Sequence, residues 1–138
     1  MNYLLDTNAC IALINGSPPP VRPRLERALE DGAGVAVPAV VAFELWYGAA
    51  KSARRQANRQ RLETFFAGPL ELLPFDDDDA RLAGEIRATL EDAGTPIGAY
   101  DLLIAGQARR YDATLVTTNA SEFSRVADLR WEDWASPP

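Results

Sequence analysis

The sequence predicts an α/β sandwich, with a mostly parallel sheet of about five short strands flanked by helices. Three observations carry this prediction. Short apolar runs of strand length alternate with longer segments whose apolar residues recur at helical spacing. Two of the runs, Asn2–Leu5 and Val35–Val37, read as buried strands. The alternation continues without a linker, an internal repeat or a low-complexity stretch, so residues 1–138 read as a single domain, long enough for a proper core.

Each element follows in order. Asn2–Leu5 reads as a buried strand ending at Asp6, and Ala9–Ile14 as a short helix capped by Asn8. Gly16-Ser17-Pro18-Pro19-Pro20 is a break. Val21–Asp31 is amphipathic, with Val21, Leu25, Ala28 and Leu29 on one face, and Gly32 and Gly34 end it. Val35–Val37 is a second buried strand. A helix over about Val40–Ala50 carries Glu44, and Arg54–Phe66 continues as a basic helix. Leu70–Leu73 is a third strand. Asp76–Asp79 opens a helix whose Leu82, Ala83, Ile86 and Leu90 fall at helical spacing. After the break at Ala93-Gly94-Thr95-Pro96, Ala99–Arg110 is a helix with Asp101 in its first turn. Thr114–Thr117 is a fourth strand and Leu129–Trp131 a short fifth at the edge.

Composition excludes several chemistries. The chain has no histidine, so neither a Ser-His-Asp nor a Cys-His nucleophile is available, nor paired-histidine acid–base catalysis. A typical zinc site is excluded with it, because Cys10 is the only cysteine. Any metal must sit on oxygen, which favours Mg²⁺ or Mn²⁺. One cysteine also excludes an internal disulfide and fits a reducing compartment. No signal peptide and no membrane span are expected. Net charge is −6, which argues against broad electrostatic binding of nucleic acid and leaves local fields to decide.

Against this background three carboxylates stand alone. Asp6 is the only charged residue between Met1 and Val21, Glu44 between Gly32 and Ala50, and Asp101 between Ala93 and Ala108. Buried carboxylates without a partner shift their pKa, find a counter-charge or hold a metal. In open α/β sheets the ligand site lies beyond the carboxyl ends of the strands. Asp6 follows the first strand, Asn119 and Glu122 follow the fourth, and Glu44 and Asp101 lie on helices able to reach that edge. Each has a plainer explanation: helix capping for Asp6, a snorkelling or interface glutamate for Glu44, the macrodipole for Asp101, and an Asn/Ser turn with a solvated Glu for Thr117–Glu122. The apolar neighbours of the three lone acids go beyond what those explanations need. Thr117 is placed to orient a carboxylate or a metal-bound water. The run Asp76–Asp79 is read as helix capping and not as a metal cluster, since successive residues point in different directions. Lys51, Arg54, Arg55, Arg59 and Arg61 form a basic run with no acid inside it, either a solvated helix face or a strip that contacts phosphates. Trp131 and Trp134 read as packing residues.

Four segments, taken in order, resemble the PIN domain, and within it the VapC group of bacterial toxin ribonucleases. They are Leu4-Leu5-Asp6-Thr7-Asn8, the Val40–Ala49 segment around Glu44, Pro96-Ile97-Gly98-Ala99-Tyr100-Asp101, and Leu115-Val116-Thr117-Thr118-Asn119 followed by Glu122-Phe123. The ending Leu129–Trp134 is similar too. The resemblance implies a Rossmann-like three-layer sandwich, an acidic pocket for Mg²⁺ or Mn²⁺ and endonucleolytic cleavage of RNA in the cytoplasm. It also implies a cognate antitoxin and a homodimer. Asp6, Glu44 and Asp101 match the family's core acids, with Thr7, Asn8 and Thr117 in support. The fourth corner falls to Asn119 or Glu122. Two alternatives stand beside this reading. One is a phosphotransfer or phosphatase domain with Asp6 as nucleophile, which has Asn8 where a second Asp is wanted and only Lys51 as its lysine. The other is a catalytically inactive module that only binds a partner.

Overall fold

A computed structural model describes residues 1–136. Five strands form one sheet: β1 (Tyr3–Leu5), β2 (Val35–Pro38), β3 (Glu71–Leu73), β4 (Thr114–Val116) and β5 (Trp131–Glu132). Seven helices accompany it: α1 (Thr7–Asn15), α2 (Val21–Glu30), α3 (Ala39–Lys51), α4 (Arg55–Phe66), α5 (Asp77–Asp92), α6 (Ala99–Arg110) and α7 (Ala120–Phe123). The strand order is β3-β2-β1-β4-β5, and every pairing is parallel. The sequence therefore predicts the architecture, an α/β three-layer sandwich, and understates only how uniformly parallel the sheet is.

Central strands carry the core. Leu4, Leu5, Ala36, Val37, Leu115 and Val116 are buried, as parallel strands covered by helices on both faces must be. Tyr3 pairs with Val35 on one side and Thr114 on the other, so β1 is the middle of the sheet. From β1 the chain winds outward to β2 and β3, and the later strands β4 and β5 add on β1's other side. The carboxyl ends of β1 and β4 thus bound the crevice where the winding reverses, the usual ligand position in such sheets. A backbone bond from Asp6 N to the Val116 carbonyl, 3.1 Å, holds those two ends together.

Several boundaries differ from the sequence reading for local reasons. The basic helix starts at Arg55, because Ser52 has extended backbone and its hydroxyl accepts from Asn58 Nδ2 at 2.9 Å, fixing a bend after α3. The segment read as an Asn/Ser turn after β4 contains α7, a single helical turn. Asp76 caps α5 in a reciprocal box with Asp79, as expected of an acidic helix start. Asp79 goes further: it is fully buried and held by Arg110 at 3.0 Å and Gln107 at 3.1 Å, which ties α5 to α6. The same two helices approach so closely that a Cβ on Gly106 would lie 2.8 Å from that of Ala83. Trp134 packs against Tyr3 and is buried, whereas Trp131 is exposed on the edge strand.

Candidate active site

Asp6 closes β1 and turns the chain into α1. Its extended backbone makes it the N-cap, and its carboxylate accepts from Ala9 N at 2.8 Å. The sequence reading gave this role to Asn8, but Asn8 already lies inside the helix and is exposed. The cap does not neutralise Asp6. Burial raises its pKa, Thr117 and the Ala9 and Asn8 amides oppose that by hydrogen bonding, and the charge of Glu44 adds to it. Thr117 is itself buried, and its hydroxyl accepts from Asn119 N at 2.9 Å. It therefore orients one acid, as its position after β4 predicted.

Glu44 sits half-buried on α3, where Thr7 Oγ1 donates to its Oε1 at 2.8 Å. Residues 37 apart in sequence are thereby joined at the mouth of the crevice. Asp101, in the first turn of α6, is the most perturbed acid. Burial, then a hydrogen bond with Glu122, then the charges of Glu122, Glu44 and Asp6 push its pKa up to about 7. The Glu122 carboxyl moves below its usual range, first through that same bond and further through Asn119, the Gly98 backbone and Arg125, against the opposing effect of burial.

The four acids named from sequence lie near one another at this edge of the sheet, close enough for Asp101 to feel the charges of the other three. Asn119 occupies the fourth corner differently from Glu122. Its amide nitrogen donates to Glu122 Oε2 at 3.2 Å and its oxygen accepts from Ser121 at 3.1 Å, so it steadies the acid that faces Asp101. Two neighbours escaped the sequence reading. Arg125 donates to the Pro96 carbonyl at 2.8 Å and lies one helical turn beyond Glu122, a spacing that could have signalled it. Gly98 leaves room beside both acids, its absent Cβ lying 3.5 Å from Asp101 Oδ2, and nothing in the sequence marks that.

The basic run does not form one strip. Lys51 lies over the ring of Tyr47, and Arg54 precedes α4. Arg55 and Arg59 border a groove beside Trp46, with Arg59 also paired to Glu63 at 3.0 Å. Arg61 turns elsewhere: it donates to the Ile14 carbonyl at 3.1 Å and borders the cavity that contains Glu44. With Lys51 over Tyr47, no lysine is among the groups that act on Asp6, as the phosphotransfer reading would want.

Among the described residues no three Cys, Asp or Glu side chains stand converged to hold a metal. The acids are close enough to feel one another's charge, yet each is held by a neighbour: Asp101 by Glu122, Glu44 by Thr7, Asp6 by its cap. The donor set nonetheless fits a hard divalent cation. It is all oxygen, carboxylate with amide and hydroxyl groups beside it, the chemistry such a cation prefers.

The PIN domain family model matches residues 3–129. The Rickettsia felis protein "Ribonuclease VapC2" is 39% identical over 134 residues, which cover 97% of this chain and 98% of that one. The Shigella flexneri protein "tRNA(fMet)-specific endonuclease VapC" is 39% identical over 135 residues, 98% and 99% of the two chains. Among solved structures, VapBC2 from Rickettsia felis bound to a DNA fragment from its promoter contains a chain that superposes with a TM-score of 0.90. That match is 38% identical and covers 97% of this chain and 99% of that one. DNA-bound VapBC from Salmonella typhimurium gives a TM-score of 0.88 at 38% identity, over 97% and 98%.

Proposed function

This chain belongs to the PIN-domain family, in the VapC-type toxins of toxin–antitoxin systems, and on that premise we propose that it is a Mg²⁺- or Mn²⁺-dependent endoribonuclease. The observation that carries the proposal is the grouping of carboxylates at the crevice between β1 and β4, where Asp101 lies close enough to feel the charges of Glu122, Glu44 and Asp6. Four carboxylates in one small space call for a counter-charge, and the absence of histidine leaves them as the means of catalysis.

Asp6, Glu44 and Asp101 are the residues that would hold the cation, with Glu122 completing the set and Asn119 steadying it. A bound divalent cation supplies Lewis-acid polarisation of the scissile phosphate and lowers the pKa of the attacking water. The chain does the rest. The α1 cap and Thr117 fix Asp6 rigidly, and Thr7 fixes Glu44. Asp101, whose carboxyl is raised to about 7 in the bare site, would be ionised beside a cation, and the Asn119 amide steadies Glu122 by donating to it. Water as the nucleophile makes the RNA 2′-OH unnecessary and leaves 5′-phosphate and 3′-hydroxyl ends.

The partners follow from the same reading. A cleft of about 630 Å³ between α1, α2 and α4, lined by Leu13, Leu25, Phe65 and Leu70, suits a cognate antitoxin. Exposed Phe43, Tyr47 and Tyr100, with Phe43 and Tyr100 edge to face at 5.7 Å, offer a face for a homodimer. No helix among the described residues is long and apolar enough to cross a membrane, and we place the protein in the cytoplasm.

The test is cleavage of RNA by purified protein freed of antitoxin, with Mn²⁺, with EDTA and with Asp101→Asn. Cleavage that needs Mn²⁺, disappears in the variant and leaves 5′-phosphate ends supports the proposal. Cleavage unchanged by EDTA or by Asp101→Asn sinks it.

A further inference from the structure

Ile11 is an aliphatic side chain in an unusual place. It is 41% exposed, while Ile86 and Ile104 are buried. A single exposed isoleucine is ordinary by itself. Its position is not. On α1 it lies four residues after Thr7 and three after Asn8, so it shares their side of the helix one turn further along the axis from the end that Asp6 caps. Two cavities meet at it. One contains Thr7 and Glu44, with Asn58 and Arg61 on its wall. The other contains Asn8 and Thr117, with Ser17 and Thr118. Each measures about 190 Å³. That is below the roughly 300–1,000 Å³ of sites for drug-sized ligands, and suits one planar ring system, not a whole nucleotide.

We propose that Ile11 is a wedge that parts the two nucleotides flanking the scissile phosphodiester bond, seating one base in each cavity. This rests on the ribonuclease reading above. A phosphate over Asp6 would have the Glu44 cavity on one side and the Thr117 cavity on the other, with Ile11 between them. Inserted aliphatic side chains unstack neighbouring bases in this way, and the lost stacking is offset by burial of the base faces. Both cavities have mainly apolar walls with amide, hydroxyl or guanidinium groups among them, the combination that grips an unstacked RNA base by its faces and its edge. Residues on these walls, more than the acids, would then decide which bond is cut.

The test uses an RNA whose cleavage site by the wild type has been mapped, and a version with abasic residues on both sides of that bond. Ile11→Ala should lower kcat/KM on the intact RNA roughly tenfold or more and blur the choice of bond, with the Mn²⁺ requirement unchanged. Ile11→Leu should restore both. On the abasic RNA the wild type should fall to the level of Ile11→Ala, and the variant should lose nothing further. Wild-type rates and sites in Ile11→Ala overturn the wedge while leaving the nuclease reading intact. Equal proportional losses on the two RNAs overturn it as well, as does a variant that cleaves normally and loses only its inhibition by antitoxin. A wild type that is inactive with Mn²⁺, or whose activity survives Asp101→Asn, removes the nuclease reading and the wedge with it.

Discussion

Replacing Asp101 by Asn should stabilise the metal-free protein while abolishing cleavage, and the pH dependence of that gain is the informative part. In the folded protein the carboxyl is raised from 3.8 to about 7, chiefly by burial and then by Glu122. The folded state therefore binds a proton that the unfolded chain has released over this interval. Stability falls as pH rises from about 4 to about 7, and the full cost is present above it. Taken at face value the shift is worth about 4 kcal/mol. Asp101 is only half-buried, so solvent screening reduces this to about 1–2 kcal/mol. The lowered carboxyl of Glu122 acts in the opposite sense: its contribution to stability is fully present above its ordinary 4.5 and is lost as pH falls below that, so it does not change between pH 4.5 and 8. Asparagine carries no charge, and its amide can donate to Glu122 as the protonated acid does.

Thermal unfolding in EDTA reads the result. At about pH 8 the variant should melt roughly 3–8 °C above the wild type, and near pH 4.5 the two should converge. Adding Mn²⁺ at about a hundred times its dissociation constant should raise wild-type stability by about 2.7 kcal/mol and the variant's by much less. A variant that is less stable at every pH, or that gains as much from Mn²⁺ as the wild type does, refutes the reasoning.

Thr7→Val should keep the fold but free Glu44, lowering kcat or Mn²⁺ affinity about 10–100-fold, measured by cleavage rates across a Mn²⁺ titration. Gly106→Ala should cost about 1–3 kcal/mol in urea unfolding, because α5 and α6 must part to admit the methyl group. Arg110→Met should lower the melting temperature by leaving the buried Asp79 with Gln107 and its cap alone, and Asp79→Asn combined with it should recover part of the loss. If Arg55 contacts RNA phosphate, Arg55→Ala should weaken binding evenly across sequences and flatten its salt dependence, a change that filter binding at several salt concentrations would detect.

Which parts of this molecule could be read before folding depends on whether the signal is local. The sheet was legible because its central strands are short buried apolar runs alternating with helical spacing, and the three core acids were conspicuous because each is a lone charge in an apolar stretch. Asp101 illustrates where that stops. Its isolation marks it as costly, but what sets its state is Glu122, 21 residues away and ordinary in its own neighbourhood. The cap at Asp6 was misassigned for a related reason: Asp, Thr and Asn in succession all suit the role, and the choice falls to the point where β1 leaves the ladder with Val116. Asp6 can therefore be both cap and catalytic candidate, since the cap uses one oxygen, Oδ1, at 2.8 Å. The basic run failed as a unit because helical spacing across a bend sends Arg61 toward Glu44 and Arg55 toward Trp46, a division invisible to a count of like charges. Ile11 is the limiting case. An isoleucine in an apolar helix reads as core in any sequence, and only the two cavities beside it give its exposure a chemical meaning.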